Sequence, residues 1–197
     1  MTLLDALATV PDPRRAQGRR YPLPPLLAAV VMAMLSGHHG YRPIGRFLRH
    51  NADDLRKHLD FGRHALPSHV TVRAVLQALD FEALSAAFRA WAAERLPEGE
   101  VLAVDAKAVR STVSDSDSAA QDFVALVSAY GVRSGLVVAA ARYDNGTTSE
   151  VHAAQELIAD LARALDLSGT TVTLDAIHAV KKRSAASGTP VATTSSS

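Results

Sequence analysis

Along the first half of the chain, apolar residues recur at three- and four-residue spacing, the signature of amphipathic helices. The most apolar stretch, residues 21–35, carries Pro24 and Pro25 where a first helical turn tolerates them. It is shorter than the roughly 18–20 residues that span a bilayer, so it reads as a buried helix of a protein without a membrane segment. Met32 and Met34 are expected in its core, as is Trp91 further on. The segment 37–40 ends this helix, and Tyr41-Arg42-Pro43 opens a short amphipathic one with Ile44, Phe47 and Leu48 inward. A further helical turn is expected over 53–59. Ser68 is a fitting N-cap for a helix over 69–79, and Asp80 caps a second along Phe81, Leu84, Phe88 and Trp91. Pro97-Glu98-Gly99-Glu100 then punctuates the chain.

Beyond that point the period changes. Residues 101–104 form a short apolar run ending in Asp105, and similar runs follow at 123–130 and 135–143. Thr147-Thr148-Ser149-Glu150 is a capping-box pattern ahead of a helix over 151–165, with Val151, Ala154, Leu157, Ile158, Leu161 and Leu165 on one face. Gly169 ends it, and a β-branched run over 170–174 ends in Asp175. The order β, β, β, α, β predicts a mixed sheet with a covering helix. The fold class is therefore α+β or α/β, with a helical domain over 1–97 and a sheet domain over 98–180. Residues 181–197 are Ser/Thr/Ala-rich and read as a disordered polar tail.

Composition narrows the function classes. With 197 residues, 48% apolar and a net charge of +1, the chain has enough material for a core and is not globally disordered. The absence of cysteine excludes disulfides, thiolate metal sites and cysteine nucleophiles, and fits a reducing compartment. Aromatic content of 5% disfavours a base-stacking single-strand binder. The near-neutral total hides a gradient. Residues 1–50 hold seven arginines against Asp5 and Asp12, whereas 101–197 hold eight basic and ten acidic groups. The basic front reads either as a phosphate-contacting surface or as a solvated arginine face.

Asp105 and Asp175 share a placement, each directly after a buried-looking strand. Catalytic and ligand groups in open α/β sheets gather at the carboxyl ends of strands. If the two strands are neighbours, about 4.8 Å apart, both carboxylates enter one crevice and suit Mg²⁺ or Mn²⁺. The alternative is that each aspartate caps the turn after its strand.

Several ordered segments then point to one family. Residues 102–111, LeuAlaValAspAlaLysAlaValArgSer, resemble the Asp-Gly-Lys-x-x-Arg-Gly signature of H-repeat-associated insertion-sequence transposases of the DDE group. ThrLeuAspAlaIleHis at 173–178 resembles their Thr-x-Asp-Ala-x-His signature, and ThrSerGluVal at 148–151 their Asn-Glu-Ile segment. Residues 11–22 and 66–76 are similar to the family's N-terminal associated region. The resemblance implies a ribonuclease-H-like catalytic domain behind a helical one, and DNA strand cleavage and transfer with two divalent metals. It implies that Asp105 bridges both metals and that Asp175 holds one, with Lys107, Arg110 and His178 near the substrate phosphates. It further implies a cytoplasmic, nucleoid-associated protein of bacterial type that binds double-stranded element ends, as a homo-oligomer or with full-length transposase.

Departures shape the expectation. Ala106 stands in place of the signature glycine, Ala108 and Ser111 also differ, and Val180 replaces a glutamine. The family's third acid, a glutamate on a later helix, has no counterpart before Ser197, and Glu150 is better explained as a capping residue. The expected protein is thus a C-terminally truncated, catalytically impaired transposase with an incomplete catalytic sheet. A non-catalytic DNA-binding or regulatory fragment, and a metal-dependent ribonuclease-H-like nuclease, are the alternatives. For DNA contact the sequence offers a basic arm, Arg14, Arg15, Arg19 and Arg20, and the polar face of the helix after Ser68, with His69, Thr71, Arg73 and Gln77. The alternative for that helix pair is an ordinary helical hairpin whose polar face meets water.

Overall fold

A computed structural model describes residues 1–62, 66–108, 124–144, 149–164 and 167–174. Its chain forms two compact units, Met1–Trp91 and Ala92–Ser197.

The first unit is helical: α1 (Leu3–Ala8), α2 (Leu23–Leu35), α3 (Tyr41–His50), α4 (Ala52–His58), α5 (His69–Ala78) and α6 (Phe81–Ala93), which runs to the unit's edge. Local chemistry sets most of the boundaries. Thr2 and Asp5 close a reciprocal capping box on α1, with the Asp5 N–H donating to Thr2 Oγ1 at 3.2 Å and the Thr2 N–H to Asp5 Oδ2 at 2.8 Å. Ser68 accepts from the Thr71 N–H at 3.3 Å, and Asp80 accepts from the Glu82 N–H at 2.9 Å, so both residues cap as expected. Gly37, at φ +80°, turns the chain out of α2 so that the His38 N–H reaches back to the Ala33 carbonyl at 2.9 Å.

Helix α2 is the spine of this unit's core, where Leu26, Ala29 and Ala33 meet Leu7, Ile44, Leu48 and Val72. The methionines depart from the expected core placement. In the last turn only Ala33 still faces inward, and Met32 and Met34, about 100° to either side of it, are 43% and 49% exposed. Trp91 is half-buried. Helices α3 and α5 approach closely because Gly45 carries no side chain. A Cβ there would lie 2.6 Å from the His69 Cβ and 3.0 Å from its backbone.

Among the described residues the second unit is a four-stranded mixed sheet with one covering helix, an α+β arrangement as the periodicity predicts. Strands β1 (Val101–Ala108), β2 (Val124–Gly131) and β3 (Val137–Asp144) form an antiparallel meander. Helix α7 (Glu150–Ala164) then leads to β4 (Thr171–Leu174), which pairs parallel with β1, giving the order β3-β2-β1-β4. Ser149 caps α7 by accepting from the His152 N–H at 3.2 Å. Ala153, Ala154, Leu157 and Leu161 of α7 pack on Leu102, Val104, Val127, Ala129 and Val138 of the sheet. The alternation of strand side chains sends the other set, Asp105 and Lys107 among them, to the opposite face.

Glu100 anchors the start of this sheet. It is fully buried, and its carboxylate accepts the backbone N–H groups of Val101, Arg133 and Ser134, each at 2.9 Å. Burial alone would raise its carboxyl. The Ser134 hydroxyl, which lies beside it without a well-aligned hydrogen bond, and the N–H groups of Arg133, Val101 and Ser134 instead bring it down to about 2. The Arg133 guanidinium closes the same turn onto the carbonyls of Glu98 and Gly99, at 2.9 and 3.1 Å.

Candidate active site

Asp105 does not follow its strand, as expected from the apolar run, but lies inside it. The run ends at Val104, yet β2 supplies backbone partners as far as the Ala108–Ala125 pair, so the ladder continues through alternating polar positions. Asp105 sits opposite Ser128 with its side chain 66% exposed, on the face away from α7. Lys107, two residues on and on the same face, brings its Nζ to 3.9 Å from Asp105 Oδ2. Both groups are exposed, so this pair contributes little to stability.

The parallel register between β1 and β4 matches Val101 with Thr171, Leu102 with Val172, Ala103 with Thr173 and Val104 with Leu174. The residues that immediately precede the two candidate carboxylates in sequence are therefore neighbours across the ladder. Asp175 itself, together with Arg110 and His178, lies outside the described residues, as does the expected tail over 181–197. Among the described residues no three acidic or histidine side chains converge on one metal position. Asp105 offers one exposed carboxylate with hard oxygen donors, the donor type that Mg²⁺ and Mn²⁺ take.

Register also identifies residues the sequence reading passed over. Asp105 pairs with Ser128, which pairs with Ala140; in the next row on the same face, Lys107 pairs with Leu126, which pairs with Arg142. Arg142 is exposed and makes no side-chain hydrogen bond or ion pair with another described residue. It stands two strand spacings, about 9.6 Å, across from Lys107. The signal for it was available only after β1, β2 and β3 were aligned, because Arg142 and Asp105 are far apart in the chain.

In the helical unit, the four arm arginines divide into two pairs. Arg14 is nearly buried, donating from Nε and Nη2 to the Asp12 carboxylate at 2.8 Å each and from Nη2 to the Tyr21 carbonyl at 2.7 Å. Its guanidinium holds the Asp12 carboxyl below the usual carboxylate range. Arg19 donates from Nε to the Arg14 carbonyl at 2.9 Å and lies 3.7 Å from Asp12. Both side chains thus hold the loop around the turn Ala16–Gly18. Arg15 and Arg20 are exposed. On α5, His69, Arg73 and Gln77 are exposed, whereas Thr71 is half-buried beside Ser68.

Residues 4–92 match the family model described as DDE_Tnp_1-associated. Similarity extends well past that segment. The "H repeat-associated putative transposase YhhI" of Escherichia coli (strain K12) is 25% identical over 181 residues, which cover 91% of this chain and 46% of that protein. Along most of its length the chain is therefore similar to proteins named as putative transposases. A second protein of the same organism, "H repeat-associated putative transposase YbfD", is 25% identical over 181 residues, 91% of this chain and 68% of its own length. An uncharacterized protein from the dhlA 3' region of Xanthobacter autotrophicus is 34% identical over 176 residues, 87% of this chain and 57% of that protein. The chain thus spans about half the length of the first of these curated relatives. No solved structure matches it. Among the described residues no helix is long and apolar enough to cross a membrane.

Proposed function

We propose that this chain serves DDE-type transposition, DNA strand cleavage and transfer at the ends of an insertion sequence. Its sheet unit supplies the carboxylates Asp105 and Asp175 of a divalent-metal site on a ribonuclease-H-like sheet, and its helical unit holds double-stranded DNA. The observation that carries this reading is the parallel register ending at Val104 and Leu174, the residues before the two aspartates. The central position of β1, between an antiparallel meander and a parallel strand, supports the same fold.

Asp105 and Asp175 are the residues that would hold Mg²⁺ or Mn²⁺. Divalent cations held there would supply charge stabilisation to the oxygens of a phosphodiester displacement. The protein's own part is to bind and orient the strand. Lys107 and Arg142 present two cations in one row beside Asp105, positioned to neutralise phosphates laid across the open face. Arg110 and His178 join this set through the family signature alone.

Manganese titration of the full chain, followed by electron paramagnetic resonance, tests the site. The wild type is expected to bind Mn²⁺, and Asp105→Asn and Asp175→Asn each to weaken it by about tenfold or more. Asp144→Asn, on the same face but two rows from Asp105, is expected to leave binding unchanged. Equal binding by the wild type and both site variants would overturn the proposal. End-DNA binding without any metal site would point instead to a non-catalytic regulatory fragment.

A further inference from the structure

We infer that helix α3, rather than the arginine arm, is the main phosphate-contacting surface of the helical unit. This rests on the reading that the unit holds duplex DNA and deepens it by naming the face that meets the backbone. Arg42, Arg46 and Arg49 recur at i, i+4 and i+7 on α3, and all three are exposed. At 100° per residue they fall within an arc of about 60° and span about 10.5 Å along the axis. Ile44 and Leu48 anchor the opposite side of the same helix in the core, so the stripe is held outward by packing. Gly45, on the flank, seats α3 against His69 at close range and fixes the helix on a rigid neighbour rather than on a loop.

The charges of this stripe are unspent. None of the three arginines makes a side-chain hydrogen bond or ion pair with another described residue. The nearest acid that follows in the chain, Asp53, pairs with Arg56 at 3.3 Å. In the arm, by contrast, Arg14 and Arg19 are taken up by Asp12 and by backbone carbonyls. Guanidinium groups at this spacing fit successive phosphate oxygens of a duplex, which they contact by paired N–H donors. The stripe carries no aromatic residue on which unpaired bases would stack, and no apolar residue that would enter a lipid interface.

The test is fluorescence anisotropy of a labelled 30-base-pair duplex of generic sequence, titrated with the full chain from 50 to 200 mM salt. Each phosphate contact contributes about 0.9 to the slope of log affinity against log salt, so R42Q/R46Q/R49Q is expected to reduce the slope by about 2.7. Across that salt range the wild type then loses roughly 40-fold more affinity than the triple variant. R42K/R46K/R49K, which keeps the charges, is expected to keep the slope, and R15Q/R20Q to reduce it by less than the α3 triple. The single variants, each expected to lower the slope by about 0.9, keep the test open if the triple variant fails to fold by circular dichroism. If the wild type binds duplex and the α3 variants retain its slope, the assignment to α3 fails and DNA binding by the unit stands. If the wild type binds no duplex, or prefers single-stranded RNA, both fail.

Discussion

Replacing Glu100 by glutamine should cost the sheet unit far more than an isosteric change at a surface acid. The carboxylate accepts Val101 and Arg133 N–H groups on Oε1 and the Ser134 N–H on Oε2, all at 2.9 Å, in a fully buried position. Glutamine can keep its carbonyl oxygen toward the first two donors. Those bonds then lose their charge assistance, about 1 kcal/mol each. Its NH₂ group must face the Ser134 N–H, which removes a charge-assisted bond of about 1.5–3 kcal/mol and opposes two donors. The sum is about 3–5 kcal/mol. Packing leaves little room for relaxation, because a Cβ on Gly131 would already lie 2.8 Å from Glu100 Oε2 and 2.3 Å from Ser134 Oγ. Urea denaturation of the full chain, followed by far-ultraviolet circular dichroism, measures the loss as a lowered midpoint. The pH dependence has a definite sign. The folded carboxyl titrates at about 2, below its ordinary 4.5, so its contribution is complete above pH 4.5 and is lost as the pH falls toward 2. Glutamine has no such titration, so the gap between wild type and Glu100→Gln should narrow over that interval. Equal midpoints at pH 7, or a gap that stays constant down to pH 2.5, would refute the anchoring role.

Two further substitutions separate packing from binding. Gly45→Val is expected to destabilise the helical unit by about 1–3 kcal/mol, since its side chain must enter space held by the His69 Cβ and backbone, and thermal melting of the full chain reads this. Arg14→Ala is expected to cost about 2–3 kcal/mol by leaving the Asp12 carboxylate and the Tyr21 carbonyl without their shared donor, whereas Arg15→Ala and Arg20→Ala should stay within about 0.5 kcal/mol of wild type. Similar stability for all three arginine variants would contradict the division of the arm.

What was legible in the sequence was local. Ser68 and Asp80 cap the helices they precede because a cap needs only residues two or three positions away, whereas the box expected over 147–150 gives way to a cap at Ser149, with Glu150 already in the helix. The buried faces of α3, α5 and α7 follow from spacing for the same reason. What was not legible depends on distant partners. Strand β1 outruns its apolar segment because β2, across the ladder, supplies the hydrogen bonds. Glu100 reads as part of a polar Pro-Glu-Gly-Glu break, but two of its three backbone donors lie 33 and 34 residues further on. Met32 and Met34 read as core because they belong to the most apolar run, yet core neighbours surround only one side of the last turn of α2. The candidate site shows the same split. Asp105 and Lys107 stand out as a motif, whereas Arg142 joins them only through the register of β3 on β2.

Sharing of one divalent cation by Asp105 and Asp175 is open to direct observation. Crystals of the full chain grown with Mn²⁺ and measured at an anomalous-scattering wavelength test it most directly. A manganese peak is expected with a carboxylate oxygen of each aspartate about 2.0–2.3 Å away, on the sheet face opposite α7. Manganese bound elsewhere, or held by Asp105 with Asp175 turned to the other face, would contradict it.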